Sequence, residues 1–402
     1  MKRVALLCVG LAVGAASAAE AQLTMQMTNG WSFTFSGNVN AFAIYESTSE
    51  SGGTIAAPGG LIGIGGKGFN VRTGLLPAFA VFDAKGKEGN TDLGVHFGFA
   101  PQIQCGGQAH DCFGAQIDMR QVYMTFGGTW GQILAGREIG LYLRQNILTD
   151  QTLFGIGATG GINGGGTTLG RIGFGYVYPN FVAQMTYSTP AGRPGQLSIG
   201  IFQPASLAGD AGAVYDETQV PRVEAEGTWK SGDIMVWVNG TVQNAKDPIA
   251  DVSKTAAGAG GGFRFGRTQF SLTGSGYWGK GIGTTLQFNG VNSGTGGVLD
   301  GLGVGGDGEL RDSYGFIGQI TFTPASSKVT VAGSYGSSYL KATDGEPDFK
   351  TENTLISGGI YYQATKSLKV VGEGNYAWTK ESVSDADKNK TFAPTLGFML
   401  FF

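Results

Sequence analysis

Apolar and polar residues alternate one for one along most of this chain, the pattern of strands that turn a single face to hydrocarbon. From Trp31 onward Phe33, Phe35, Gly37, Val39, Ala41, Ala43 and Tyr45 are apolar or small, and Ser32, Thr34, Ser36, Asn38 and Asn40 stand between them. The period returns at Leu93, Val95, Phe97 and Phe99, at Val223, Ala225, Gly227 and Trp229, and at Ile234, Val236 and Val238. Further on it recurs at Phe270, Leu272 and Trp278, at Tyr314, Phe316 and Ile320, at Val329, Val331 and Tyr335, and at Leu368, Val370 and Tyr376. The final twelve residues, TFAPTLGFMLFF, carry Phe392, Pro394, Leu396, Phe398, Leu400 and Phe402 on one face. With no tail beyond Phe402 in the sequence to cover that face, either a buried edge strand or the closing strand of a lipid-facing barrel fits it.

The connections between strands separate the two. Short ones fall at Ser231-Gly232, Gly266-Arg267, residues 324–327 and residues 364–366. Long ones fall at residues 47–68, 205–221, 244–257, 279–312, 341–352 and 380–390. A soluble sandwich alternates too, but its loops are evenly short. Short periplasmic turns against long external loops are the asymmetry of an outer-membrane barrel. Counting back from Phe402 gives about sixteen strands of ~10 residues, the length of a tilted crossing. The expected fold is therefore an all-β transmembrane antiparallel barrel.

Composition agrees. Glycine makes up 72 of 402 residues and charged residues only 14%. No apolar run after the first residues reaches the ~18 needed for a spanning helix. A closed sheet remains, because in lipid every backbone N–H and C=O must pair within the protein. The chain opens MKRVALLCVGLAVGAASAAEAQ, with Lys2 and Arg3 before an apolar stretch and A-x-A cleavage sites, so residues 1–21 read as a secretory signal. Its removal leaves 25 of 27 basic and 29 of 30 acidic residues, a charge of −4, which argues against a nucleic-acid partner. Cys105 and Cys112 then remain. In an oxidising compartment they suit a local disulfide, and the alternative is a soft-metal site with His110 that would need more ligands. The loop string GTGGVLDGLGVGGDGE holds a phosphate-cradle spacing but lacks the strand and helix around it, so a mobile surface loop is expected there.

At Asp118 the chain becomes recognisable. DMRQVYMTFGGTWGQILAGRE (residues 118–138) resembles the fourth and fifth strands of the Gram-negative trimeric porins, where a strand ending in G-R leads into the third loop. QMTYSTPAGRPGQLSIGIFQP (residues 184–204) is similar to the strand pair after that loop, and Phe402 matches the family's usual last residue. The resemblance covers residues 22–402. It implies a homotrimer in the Gram-negative outer membrane, assembly-machinery recognition of the last strand through Phe402, and a third loop folded into the lumen. Here that loop is residues 139–180, longer and richer in glycine than the family's. Basic wall residues facing acidic loop residues are implied: by position Arg72, Arg120 and Arg137 on the wall, with Glu138 and Asp150 on the loop side. Arg120 poses a conflict, since strict alternation sends it to lipid with Val122, Met124 and Phe126. A bulge, a place above the bilayer or at its rim, or the opposite parity would each resolve it. Arg72 is cleaner, with Val71, Leu75, Phe79 and Val81 on the opposite parity.

Charges on predicted inward positions are Arg222, Glu224, Glu226, Arg264, Lys369 and Glu373, since a charge facing mid-bilayer lipid costs ~2–4 kcal/mol. The function expected is passive diffusion of small hydrophilic solutes and ions, with no cofactor, metal or catalysis. Opposed charges across the neck would set a transverse field, and Arg72→Ala should then shift the reversal potential toward cations. Three alternatives stand beside it: a solute-selective channel, a plugged structural barrel, and a hydrolase built on His96 or His110.

Overall fold

The computed structural model describes residues 23–49, 61–62, 65–104, 117–161, 165–209, 214–288, 302–348, 350–381 and 388–402. The signal-like residues 1–21, Cys105, Cys112 and His110 lie outside the described residues. The first half of the chain carries β1 (Leu23–Gln26), β2 (Ser32–Thr48), β3 (Gly66–Arg72), β4 (Phe79–Glu88), β5 (Thr91–Pro101), β6 (Ile117–Gly128) and β7 (Gly131–Ile139). After a long segment come β8 (Phe181–Ser188), β9 (Gly195–Phe202) and a small ribbon of β10 (Leu207–Ala208) and β11 (Val214–Tyr215). The second half holds β12 (Arg222–Ser231), β13 (Ile234–Asp247), β14 (Val252–Arg267), β15 (Phe270–Lys280) and β16 (Asp312–Phe322). It ends with β17 (Val329–Lys341), β18 (Lys350–Gln363), β19 (Leu368–Glu381) and β20 (Asn389–Phe401).

Neighbouring strands pair antiparallel throughout, and β20 returns to β2 through Asn38↔Phe401 to Thr48↔Thr391, which closes the sheet. β2 pairs with β4 over Ser32–Asn38 and with β3 over Phe42–Thr48, so β3 and β4 are two halves of one stave. Counted that way, sixteen staves form the barrel. The alternation decides which face is which. On β20 Phe392, Leu396, Phe398 and Leu400 are exposed while Thr391, Ala393, Thr395 and Met399 are buried. On β13 Val236, Val238 and Val242 are exposed while Asn239, Thr241 and Gln243 are buried. Apolar outside and polar inside is the inverse of a soluble sheet and matches a barrel with lipid around it.

Several expectations need correction. Residues 244–257 are not a long loop: β13 and β14 run on through them to a four-residue turn at 248–251, because Asn244 to Asp247 pair with Val252 to Thr255. Where described, the loop after β15 is packed and not a free surface loop, with Ile282, Phe288, Leu302 and Val304 all buried. The stave of Arg72 is interrupted at residues 73–78, so the parity read there fails. Val71 points outward, but Leu75 and Phe79 are buried and Val81 is half-buried. Pro77 lacks an N–H for the ladder, and two inward asparagines of β2 take over. Asn40 donates to Leu76 O (2.9 Å) and accepts from Gly74 N (2.9 Å), and Asn38 donates to Pro77 O (3.0 Å). Three backbone groups of the break thus bond to side chains in place of a ladder partner.

Candidate functional site

Residues 140–180 carry three charges, Arg144, Asp150 and Arg171, and all three are buried. The segment begins with α1 (Arg144–Leu148), then a short 3-10 helix over Gln151–Phe154. Asp150 caps that helix, accepting from Thr152 N (3.0 Å) and Thr152 Oγ1 (2.5 Å). Tyr176 O–H donates to the same carboxylate (3.0 Å), and Arg171 Nε stands 3.7 Å from it. Burial pushes the Asp150 carboxyl above its ordinary value and draws the Arg171 guanidinium below its own, each shift partly offset by the other's charge.

The inward faces of the staves receive this segment group by group. On β12, Glu224 accepts the backbone N–H of Leu141 (2.7 Å) and Tyr142 (3.0 Å). Two places on, Glu226 accepts Arg144 Nε (3.0 Å) and Nη2 (2.7 Å). Trp237 Nε1 on β13 donates to Asn146 Oδ1 (2.9 Å), and Gln319 Oε1 on β16 accepts Gln151 N (2.7 Å). Arg171 donates to Ser334 Oγ on β17 and to Leu355 O on β18 (2.8 Å). On β19 Glu373 accepts Ile156 N (3.0 Å) and Gly157 N (2.8 Å), with Tyr361 O–H (2.9 Å) and Asn375 Nδ2 (2.7 Å) on the same carboxylate. At Gly155 a Cβ would meet Glu373 Oε2 at 1.9 Å, so a side chain there would displace that carboxylate from its bonds. Three staves beyond β19, and across the barrel from β12 and β13, Arg72 on β3 donates to four segment carbonyls, those of Thr159, Gly165, Gly166 and Thr167, at 2.7–3.2 Å. Charge-assisted bonds of this kind are the strong ones, and they fix the segment at both sides.

Each sequence candidate has a definite place. Arg72 is inward as expected, but it is 2% exposed and held by the segment's carbonyls, so it does not present charge to open water. Arg120 sits at a β-bulge: Gly98 pairs with Gln121 and Phe99 with Met119, leaving Arg120 as the extra residue. Its Nε donates to Asp118 Oδ2 (2.8 Å) and its guanidinium lies 5.9 Å from the Phe181 ring. Arg137 is a correction. It is exposed on the outward face of β7, because alternation sends Glu138 inward and an adjacent residue cannot follow. Glu138 is buried and accepts Gln121 Nε2 and Ile139 N, each at 2.7 Å.

Among the wall charges, Glu224, Glu226 and Glu373 are the segment's anchors. Arg222 is buried beside Glu224 (3.2 Å), its guanidinium near the rings of Phe202 (5.5 Å) and Phe288 (5.7 Å). Lys369 Nζ lies 3.7 Å from the centroid of the Phe154 ring. Arg264 stands opposite buried Thr273, inward but exposed near the short-turn end of β14. His96 is inward too. Its Nδ1 pairs with Asp83 Oδ1 (2.9 Å) and its ring stacks on Tyr123 (4.5 Å).

Sequence reasoning missed Arg144 and Arg171. The signal was present, since a cation in a nearly uncharged glycine-rich stretch must find a counter-charge or leave the interior. The segment's partly exposed side chains are a second surprise. Among the described residues they are Leu148, Thr149, Phe154, Thr167, Leu169, Tyr178 and Asn180, none of them charged.

A closed sixteen-stave barrel with an apolar exterior and a polar, charge-bearing interior defines an outer-membrane β-barrel channel. The family model described as Gram-negative porin matches residues 5–383, and the chain belongs to that family. It is a passive diffusion channel of the outer membrane. The outer membrane channel DcaP of Acinetobacter baumannii is similar in structure, with TM-score 0.66 and 16% identity over 94% of this chain and 99% of that one. The anion-selective porin from Comamonas acidovorans gives TM-score 0.62 at 12% identity, covering 92% of this chain and 100% of that one. The trimer form of OmpT, an outer membrane protein of Vibrio cholerae, gives 0.52 at 12% identity, covering 93% and 100%. No curated protein matches the chain.

Proposed function

We propose that residues 139–180 form the neck of this channel and set which small hydrophilic solutes and ions diffuse through it. The observation that carries this reading is the set of bonds from Glu224 and Glu226 on β12 and, across the barrel, from Arg72 on β3 onto one segment. A peptide held at both ends against inward faces divides the lumen it crosses. The channel performs no chemistry on its permeants. It acts by size and by the field of whichever charges stay accessible. Glu138, Asp150 and Arg72 are spent on holding the segment, so the transverse field across the neck is weak. The assembly is a homotrimer, a form supported by the family and by closed symmetry. The last strand, ending in Phe402, is what the barrel-assembly machinery engages.

Planar-bilayer recording with a salt gradient tests the neck. Arg72→Ala should produce flickering, larger conductance steps with little change of reversal potential, since it releases four carbonyls more than it removes a free charge. A clean shift toward cations at unchanged conductance would restore Arg72 as a field-setting wall residue.

A further inference from the structure

Between the segment and the wall lies a cavity of about 200 Å³ whose lining is out of character for a hydrated lumen. Leu148, Leu169 and Ile172 line it from the segment, and Leu75, Phe79 and Phe181 from the wall. Arg120 is the one ionisable cation in that lining. The bulge in β6 is what brings it there, since unbroken alternation would have sent its side chain outward with Val122 and Met124. Asp118 takes its Nε–H, and the Tyr178 hydroxyl bonds to it as well. A guanidinium has five N–H donors in a planar fork, and among the described residues no other partner is bonded to those of Arg120.

We propose that this cavity binds organic anions with an apolar body, such as aromatic or short aliphatic carboxylates, on their way through the channel. The inference rests on the channel reading and adds a preferred solute class to it. The free edge of the Arg120 fork matches a carboxylate, and leucine, isoleucine and phenylalanine take the hydrocarbon that such a solute would otherwise leave in water. A small hydrophilic acid has the head without the tail, and an aromatic amine has the tail with the wrong head. A sugar would find the hydroxyls of Thr167, Thr168, Thr285 and Tyr178 and the Arg120 fork, but apolar walls would strip its other hydroxyls of partners.

The test uses the purified full-length protein in a planar bilayer in potassium chloride, with benzoate, acetate or benzylammonium added. Stepwise conductance is read first. Its absence defeats the channel reading, whereas conductance without differential block defeats only the site. The site requires benzoate to reduce the current at concentrations about tenfold or more below those of acetate and benzylammonium, the scale of one charge-assisted bond. Arg120→Gln should abolish the advantage of benzoate over benzylammonium. Leu169→Asn, at a partly exposed position with less risk to folding, should weaken benzoate block and leave acetate alone. Equal block by all three probes, or benzoate block untouched by both substitutions, would overturn the proposal.

Discussion

At the scale of single residues, the inside of this barrel is governed by the cost of a buried charge without a partner. Arg171 shows the arithmetic. Its guanidinium is fully buried, bonded to Leu355 O and Ser334 Oγ and set beside Asp150. Removing it leaves a buried carboxylate with no cation, a loss of ~3–5 kcal/mol. Arg171→Ala should therefore lower stability by about that much in urea unfolding from lipid vesicles, and a change under ~1 kcal/mol would mean that the pair is hydrated. Arg137 makes the opposite case. Because it faces outward, Arg137→Ala should leave the reversal potential of the channel where it is. The inward parity of Glu224, Glu226 and Glu373 was legible from alternation alone. Their work as anchors was not, because their partners in the segment sit 81 to 217 positions away in the chain and no local pattern encodes such a meeting.

Among elements, the informative places are those where a strand stops behaving as one. Period-two spacing located nearly every stave, since lipid on one side and water on the other reward it at every second residue. It failed at residues 73–78, where Leu75 and Phe79 keep an apolar rhythm while the wall breaks at Pro77. It was ambiguous at Arg120, where the bulge that resolves the conflict shows in the register and not in the composition. The glycine run of the segment, which departs from the family's shorter loop, has a physical reason. Backbone N–H groups at 156 and 157 can reach Glu373 only because residue 155 has no side chain. Gly155→Ala should displace that turn and raise the open-channel noise, with the barrel's heat resistance little changed. Normal noise in this variant would show that the turn tolerates displacement.

The loops after β15 and β17 carry a pH dependence. Arg311 donates through Nε to Glu346 Oε2 (3.0 Å), and Gly306 N (2.9 Å) and Thr343 N (3.0 Å) bond to the same carboxylate. Burial alone would raise the Glu346 pKa, but these bonds outweigh it and bring the value down from 4.5 to about 2. A depressed carboxylate stabilises the docked loop above its ordinary value and loses that contribution as pH falls through the bound one. Hydrogen exchange of residues 302–311 should thus stay slow at neutral and mildly acidic pH and quicken between 4.5 and 2. Quickening already near pH 6 would point to another group.

For the whole molecule, the physics is that of a sheet closed on itself. Pairing β20 with β2 leaves no edge, so backbone polarity is satisfied within the wall and the outer face is free to be hydrocarbon. The same closure encloses a lumen, which in the proposed reading residues 139–180 narrow to a neck. Single-channel recording of the purified protein in planar bilayers addresses this most directly. Discrete, long-lived conductance steps that scale with salt, and that grow larger when Arg72 and Glu224 are both replaced by alanine, are what a segment-narrowed pore produces. A membrane-inserted protein that passes no current, or whose steps are indifferent to loss of both anchors, would contradict it.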